Sequence, residues 1–313
     1  MKKIAVTMGD PNGISPEITI KALNFLDLPK DKVVLITNNN ILKYYKEKHS
    51  LELEKDYDIF EIPYRYEDIK PGIETEEAGE FAFKSLVQAC NLAVNHEIEA
   101  IVTAPVSKNA LKMAGHNYSG QTEILEQYLA NNNQKAEMLF VGDNFSVLLI
   151  TRHIALKDVP SKITKDFIKE KIENLQTSMQ MQLGIAEPKI AICGLNPHCG
   201  ENGMFGDEEL NAIIPAVKEL QAEGINISGP YPADALFAKC ALEECNYDCY
   251  VAMYHDQGLI PVKLLQRDSS VNTTIGLDVI RTSPAHGTAF DIAGQNTASP
   301  DSMINAISLA IKH

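Results

Sequence analysis

The sequence predicts an α/β protein built from two domains, and three observations support this fold class. Apolar, β-branched runs alternate with runs of helical period along the chain, which is typical of βα units with a largely parallel sheet covered on both faces. Several strand candidates are apolar throughout, so we expect both of their faces to be buried. One pair of strands is joined by a loop too short for a parallel crossover, which predicts mixed sheets and a second domain.

The first part of the chain contains three successive pairings of a strand with a helix. In order they are "KIAVTM" with "PEITIKALNFL", "KVVLIT" with "ILKYYKEK", and a helix near residues 76–95 followed by "AIVTAP". Ser15-Pro16 marks the first helix start, with Ser as the N-cap and Pro at the first helical position. This segment therefore predicts a parallel sheet.

A hairpin interrupts this rhythm near the middle of the chain. "EMLFVG" and "FSVLLITRH" are separated only by Asp143-Asn144, so we expect them to pair antiparallel. Further βα units follow, with helices near 164–182 and 207–223 and strands at "PKIAICG" and "YVAMYHD". Positions 263–281 indicate strand and turn, and a last helix follows "SP" at 299–300.

The domain boundaries follow from the hairpin and from compact turns near the C-terminus. We expect residues 1–119 and 266–313 to form the first α/β domain and residues 120–265 to form the second. No Pro/Gly/Ser-rich linker separates them, so the two domains are expected to share a cleft.

The acidic composition limits the kinds of partner. The chain has 28 basic and 42 acidic residues, and this formal net charge of -14 repels nucleic acid and anionic lipid. No stretch approaches the roughly 18 to 20 apolar residues of a membrane span, and the cysteines form no C-x-x-C pair. We therefore expect a cytoplasmic protein that acts on a small molecule.

Three histidines each follow an apolar strand. His153 ends "FSVLLITRH", His198 follows "KIAICG" through a Gly-Asn-Pro turn, and His255 follows "YVAMY". Imidazoles on rigid supports at one sheet edge suit Zn²⁺, Co²⁺ or a similar divalent ion with a position open for substrate. Asp234 and Asp256 could orient these ligands or complete the shell, whereas each histidine taken alone is also compatible with a structural role.

Other stretches suggest anion binding. "MGDPNGISPEI" joins the first strand to the first helix, and Gln121 and Thr122 stand at a helix start, where N–H and hydroxyl donors could meet a phosphate. Lys263, Arg267 and Arg281, with Asn272 between them, could form a local positive site in this acidic chain. The residues alone leave capped helices and a solvated basic face as alternatives. "HGTAFDIAGQNTASP" is rich in small residues, which lets a backbone approach a planar ligand.

These motifs together resemble one enzyme family. "GDPNGISPEI", "TAPVSK", "GQTE", "CGLNPHCGE", "PADALF", "MYHDQG", "VNTTIGL" and "IRTSPAHGTAFDIAG" are similar to stretches of the 4-hydroxythreonine-4-phosphate dehydrogenases, the PdxA family, and span nearly the whole chain. The first and last also resemble loops of isopropylmalate and isocitrate dehydrogenases. The resemblance implies their two-domain α/β/α architecture, with mixed sheets and an active-site cleft between domains.

The resemblance also implies roles for particular residues. One divalent ion (Zn²⁺, Co²⁺ or Mg²⁺) would be bound by three histidines at a homodimer interface, and the phosphorylated substrate and the adenosine of NAD, or NADP, would be bound by two further groups. The metal ligands are His153, His198 and His255; the substrate contacts are Gln121, Thr122, Lys263, Asn272 and Arg281; the cofactor loop contains His286, Gly287, Asp291 and Gly294; the candidate catalytic groups are Asp234, Asp256 and Lys263.

Gln121 departs from the family pattern. The family usually has His at this position, in "GHTE", whereas this chain has "GQTE". A glutamine side chain can donate a hydrogen bond. It cannot take up or release a proton, however, and it carries no charge. The departure therefore argues against an acid-base role at position 121.

The implied reaction is the oxidation of 4-phosphooxy-L-threonine at its 3-hydroxyl by NAD. Loss of carbon dioxide would then give 3-amino-2-oxopropyl phosphate, in the biosynthesis of pyridoxal 5'-phosphate (vitamin B6). A dehydrogenase of 4-phosphothreonate or 4-phosphoerythronate remains an alternative, because the same frame could accept a hydroxyl in place of the amine. A phosphate acyltransferase of similar fold and a hydrolase with a zinc-bound water are further alternatives.

Overall fold

A computed structural model describes residues 2–131, 134–242, 244–266 and 269–312. The chain divides into two compact units. The first contains the residues up to Ala136 and those from Val271 onward, and the second contains Glu137–Ser270.

Strands and helices alternate through most of both units, as the sequence predicts. Within the described residues the strands are β1 Ile4–Thr7, β2 Val33–Thr37, β3 Asp58–Glu61, β4 Ala100–Thr103, β5 Glu137–Val141, β6 Ser146–Leu149, β7 Ile190–Cys193, β8 Ile227–Tyr231, β9 Cys249–Ala252, β10 Val271–Ile275 and β11 Ile280–Pro284. The α-helices in the same ranges are α1 Ser15–Leu26, α2 Asn39–His49, α3 Glu76–Val94, α4 Lys108–Met113, α5 Gln121–Leu129, α6 Val159–Lys162, α7 Lys165–Met181, α8 Ile214–Ala222, α9 Ala233–Ala241, α10 His255–Leu265 and α11 Asp301–Lys312.

The first unit is built on a mostly parallel sheet. Its strand order is β3-β2-β1-β4-β11-β10, and its neighbouring strands are parallel except β10 and β11. Every residue of β1 and β4 is buried, with α3 packed on β1 and α11 on β4. These central strands are apolar without alternation because both of their faces are covered.

The second unit has its own mixed arrangement. Its strand order is β5-β6-β9-β7-β8. The predicted hairpin is confirmed, since β5 and β6 pair antiparallel with Leu139 opposite Leu148, while the remaining neighbours are parallel. Phe145, Phe237 and Tyr250 pack together with Val147 in the core of this unit.

The division between the units differs from the expected boundaries. Residues 120–136 belong to the first unit, because Ile124 of α5 packs into the same apolar cluster as Leu86 and Leu111. Residues 266–270 belong to the second unit, where the side chain of Gln266 donates a hydrogen bond to the Phe145 carbonyl at 3.1 Å.

Two local expectations are wrong. Lys263 lies on α10, not in strand or turn: Leu259 and Val262 are buried along this helix, and Gly258 allows its close approach to Leu149. Ser15 does not cap α1 through its side chain. Ile14 is the N-cap residue, and Ser15 Oγ donates to the Pro105 carbonyl at 2.7 Å.

Along the described ranges, no helix is both long enough and apolar enough to cross a membrane.

Candidate functional site

Arg281 is a buried cation held by uncharged oxygen atoms. It lies on β11 with only 2% of its surface exposed. Its Nε donates to Thr103 Oγ1 at 2.7 Å, its Nη1 to Thr274 Oγ1 at 3.4 Å, and its Nη2 to Gln121 Oε1 at 2.8 Å. The strand register places Thr274 directly opposite Arg281 and brings Thr103 from the adjacent strand β4.

The electrostatics of Arg281 favour an anionic ligand. Burial lowers the pKa of its guanidinium to about 9, and the field of Glu123 opposes this shift only in part. Among the described residues, no carboxylate forms an ion pair with Arg281. Burying a charge without a counter-ion is unfavourable in free energy. A phosphate bound here would supply the counter-ion and reduce that penalty.

Gln121 fixes the position of the Arg281 guanidinium. It is the first residue of α5, and its Nε2 donates to the Ala104 carbonyl at 3.2 Å while its Oε1 accepts from Arg281. The amide is therefore oriented at both ends. The next residue, Thr122, is buried in the first turn of the same helix.

Asn272 faces the same side of the sheet as Arg281. It lies two residues before Thr274 on β10, opposite Ser283, and side chains two residues apart share a sheet face. Its Oδ1 is buried and has no hydrogen-bond partner among the described residues. A buried polar atom of this kind favours a ligand that supplies the missing partner.

The structure brings together the two loops for which the sequence suggests nucleotide or anion binding. Ile14 N–H donates to the Thr288 carbonyl at 2.9 Å, and a Cβ on Gly13 would lie 2.9 Å from Thr288. Gly294 has a φ of 77°, and a Cβ there would lie 2.9 Å from Pro71. Only glycine satisfies both the contact and the left-handed backbone at position 294.

The remaining candidate cofactor residues lie on the surface of the loop that contains Thr288 and Gly294. His286 and Gly287 are exposed, and His286 Nδ1 lies 3.0 Å from the Gly287 carbonyl oxygen. Asp291 is also exposed, and its carbonyl accepts a hydrogen bond from the Gln295 side chain at 2.8 Å.

Asp10, in the turn after β1, is a buried carboxyl group. Its Oδ1 accepts from Asn12 N–H at 2.9 Å, while its Oδ2 is buried without a partner among the described residues. Burial raises the pKa of Asp10 to about 6, and the nearby carboxylate of Glu74 acts in the same direction. The Asp10 carboxyl group is therefore easier to protonate than an exposed aspartate.

In the second unit, two of the three candidate metal ligands approach each other. The ring centres of His153 and His255 are 5.7 Å apart, with 43° between their planes. His255 is the first residue of α10, and its Nδ1 lies 2.6 Å from Asp256 Oδ1. A carboxylate on one ring nitrogen orients an imidazole and leaves the other nitrogen for a ligand.

His198 lies in a separate loop. Residues 198–202 all have positive φ values, and the ring of His198 is 6.3 Å from that of Phe205. The buried carboxylate of Glu209 holds the entry to this loop, since it accepts N–H bonds from Leu195 and Asn196 at 2.7 and 2.8 Å. Over the part of the chain that the structure describes, no group of three or more His, Cys, Asp or Glu side chains could hold a metal ion.

The donor geometry fits a metal ion at two ligands of the chain. With metal–nitrogen bonds of about 2 Å, two imidazoles that share an ion have ring centres roughly 5 to 6 Å apart. The observed separation of His153 and His255 falls in this range, and Asp256 fixes the orientation of one of them. His198 does not join them within one chain.

The candidate acids share a groove in the second unit. Asp234 on α9 and Asp256 on α10 both line an apolar groove of about 340 Å³. Lys263 lies further along α10, with its side chain exposed. Arg267 is outside the described residues.

Several residues that build these sites are not among those that the sequence singles out. Thr103 and Thr274 hold Arg281, and their only signal is a threonine at or near the end of a strand. Gln257 joins two strand ends, since its Oε1 accepts from Met253 N–H at 2.7 Å and its Nε2 donates to the Gly194 carbonyl at 2.8 Å. Its position directly after His255-Asp256 is a signal that could have identified it.

A family model and the sequences of related proteins indicate the same family for this chain. The model of the family "Pyridoxal phosphate biosynthetic protein PdxA" matches residues 4–310. A 4-hydroxythreonine-4-phosphate dehydrogenase of Sulfurihydrogenibium sp. is 41% identical, over 99% of this chain and 98% of the relative. A D-threonate 4-phosphate dehydrogenase of Pectobacterium atrosepticum is also 41% identical, over 99% of each.

Solved structures agree with this result. The crystal structure of a 4-hydroxythreonine-4-phosphate dehydrogenase from Klebsiella pneumoniae superposes with a TM-score of 0.85 at 37% identity, covering 100% of this chain and 99% of that one. An isocitrate dehydrogenase from Methylococcus capsulatus, at 15% identity, has a TM-score of 0.52 over 100% of this chain and 86% of its own, which supports the predicted fold class. Matched over nearly its whole length, the chain belongs to the PdxA family of pyridoxal phosphate biosynthetic proteins.

Proposed function

We propose that this chain is an NAD-dependent dehydrogenase that oxidises 4-phosphooxy-L-threonine and releases carbon dioxide to give 3-amino-2-oxopropyl phosphate. The observation that carries the proposal is Arg281, a buried guanidinium whose hydrogen-bond acceptors among the described residues are all neutral. Such a group supports recognition of a phosphate monoester, and the names of the relatives describe dehydrogenases of phosphorylated substrates.

In this proposal Arg281 binds the substrate phosphate, with the hydroxyl of Thr122 as a further donor. The buried Oδ1 of Asn272 accepts a hydrogen bond from another polar group of the substrate. Lys263 remains a predicted second cation for the phosphate. Binding energy from the phosphate, which does not react, holds the hydroxyl-bearing carbon in place.

His153 and His255 are proposed to hold a divalent ion, Zn²⁺, Co²⁺ or Mg²⁺, with His198 as the third ligand. Such an ion would supply positive charge for an oxygen that becomes negative, and NAD would be the hydride acceptor. Asp256 keeps the His255 ring oriented. Asp234, which lines the same groove as Asp256, is proposed to be the group that transfers a proton during the reaction.

The proposed enzyme is a homodimer whose subunits complete each other's sites. His255 begins α10, and the same helix exposes two apolar side chains that line the 340 Å³ groove, Ile260 at 57% and Leu264 at 71% exposure, which form an apolar ridge. A second copy of the chain would cover this ridge and could contribute His198 to the pair formed by His153 and His255.

A second candidate substrate is D-threonate 4-phosphate. A relative with this activity in its name is as similar to the chain as the 4-hydroxythreonine-4-phosphate dehydrogenase is. The two substrates share the phosphate that Arg281 would bind and differ in the group on carbon 2.

NADH formation with a panel of phosphorylated C4 acids tests the proposal. The purified enzyme is assayed with 4-phosphooxy-L-threonine, 4-phosphothreonate and 4-phosphoerythronate, with NAD or NADP and with each metal or a chelator. We expect the first acid to give NADH with the highest kcat/KM and the chelator to abolish the reaction. Inactivity on every acid, with metal and NAD shown to be bound, would refute the dehydrogenase assignment.

A further inference from the structure

An ion pair on α1 joins a buried carboxylate, Glu17, to a partly exposed lysine, Lys21, and has no role in the proposed chemistry. Glu17 is only 1% exposed, and its Oε1 lies 2.8 Å from Lys21 Nζ, one turn further along the helix. Exposed pairs with this spacing stabilise a helix only slightly, whereas burying charge is costly. The burial of the Glu17 carboxylate is therefore not explained by helix stabilisation alone.

Both charged groups bind the backbone at the C-terminal end of the cofactor loop, at residues 296–298. The Ala298 N–H donates to Glu17 Oε1 at 2.7 Å. Lys21 Nζ donates to the carbonyl oxygens of Asn296 and Ala298 at 3.2 and 3.1 Å. The three donors of the ammonium group are thus shared between Glu17 and a segment more than 270 residues away in the chain.

The start of α1 holds the other end of the same loop. The Ile14 N–H bonds the Thr288 carbonyl, and Gly13 permits the close approach. The loop is therefore fixed to α1 at Thr288 and again at residues 296–298. The segment between these anchors contains Asp291 and Gly294, two of the residues expected to border the adenosine.

We propose that Glu17 and Lys21 are positioning residues that set the shape of loop 288–298 for the nucleotide, an inference that rests on the proposed NAD cofactor. The pair does not touch the nucleotide in this proposal. It holds the loop in the binding conformation before the nucleotide arrives, so that binding does not have to order it. Loss of the pair would weaken nucleotide binding and leave the phosphate site at Arg281 intact.

The test compares two ligands in one unit of the protein. Lys21→Met removes the ammonium group and keeps most of the side-chain volume, and the double variant Glu17→Gln/Lys21→Met leaves no buried charge unpaired. Lys84→Met is the matched control, because Lys84 pairs with Glu80 at the same helical spacing on α3 but on an exposed face. Dissociation constants for NAD and for inorganic phosphate are measured on each full-length protein by calorimetry.

We expect both variants at Lys21 to bind NAD about tenfold more weakly, since the released loop must be ordered on binding. Their affinity for inorganic phosphate and the behaviour of Lys84→Met should match the parent protein. Hydrogen exchange at the Ala298 amide should become faster in Lys21→Met even without ligand.

Two results would overturn the inference. One is an unchanged NAD affinity in both Lys21 variants, and the other is an equal loss of NAD and phosphate affinity, which would indicate that the pair only stabilises the unit. A parent protein that binds no NAD at all would instead refute the proposed cofactor, so the two failures can be told apart.

Discussion

Substitution of Gln121 tests how the phosphate site works. In the structure the amide oxygen accepts from Arg281 Nη2 at 2.8 Å, and the amide nitrogen donates to the Ala104 carbonyl. Gln121 therefore holds the guanidinium without neutralising it. Three replacements separate the hydrogen bond to the guanidinium from the lack of a neutralising charge. His and Ala are uncharged, whereas Glu carries a negative charge.

The structure gives a magnitude for each replacement. Gln121→Ala removes one hydrogen bond to a charged group, about 1.5 to 3 kcal/mol, so phosphate should bind roughly tenfold to hundredfold more weakly. Gln121→Glu places a negative charge beside Arg281; at about 4 Å and an effective dielectric constant of about 20 the pair interacts by about 4 kcal/mol, so the loss should exceed about a hundredfold. Gln121→His keeps an uncharged acceptor and should stay within about tenfold.

The assay is the dissociation constant for inorganic phosphate, followed by the KM for 4-phosphooxy-L-threonine. Gln127 is the matched control, since it lies exposed on the same helix and accepts from the Tyr118 hydroxyl at 2.8 Å. Gln127→Glu should leave phosphate affinity unchanged. Parental phosphate affinity in Gln121→Glu would contradict phosphate binding at Arg281, because a buried carboxylate beside the guanidinium must compete with the ligand.

Three further predictions concern the metal, the assembly and the buried acid. His198→Ala should lose bound metal and turnover while unfolding cooperatively; metal content and turnover equal to those of the parent would contradict the ligand assignment. Mixed dimers of His198→Ala and His255→Ala chains should recover part of the activity that each variant lacks, because one site in each hybrid has all its ligands; no recovery after demonstrated subunit exchange would argue for sites within one chain. Asp10 has its pKa raised to about 6 in the fold. The native state therefore binds the proton more tightly than the unfolded state, and stability from this group falls as the pH rises from about 4 to about 6. Asp10→Asn should accordingly gain about 2 kcal/mol relative to the parent between pH 4 and pH 7 in denaturant unfolding. A difference in unfolding free energy that does not change with pH would contradict the raised pKa.

Much of the fold could be predicted from local pattern. The apolar strands β1 and β4, the helix over 76–94 and the hairpin around Asp143-Asn144 all follow from periodicity and loop length. The helix α10 could not be predicted so readily, since Pro261 lies inside it and its buried face becomes visible only once β6 and β9 are in place. The unit boundary also depends on tertiary packing, because Ile124 joins Leu86 across a long stretch of sequence.

The candidate site was predictable in part. Histidines at strand ends are visible in the sequence, and the structure brings His153 near His255. The left-handed turn that carries His198 is not visible, since four of its five residues with positive φ are not glycine. The meaning of Gln121 also required the structure, because its partner Arg281 is 160 residues away.

The proposed role of Arg281 as the phosphate anchor of a dehydrogenase is best tested by measuring the preference for a phosphorylated substrate. The ratio of kcat/KM for 4-phosphooxy-L-threonine over the unphosphorylated amino acid is measured by NADH formation in the parent protein and in Arg281→Met. Methionine fills similar space without burying a charge, so the variant should fold. We expect a large ratio in the parent that falls by at least about a hundredfold in Arg281→Met. An unchanged ratio in the folded variant would contradict this role of Arg281.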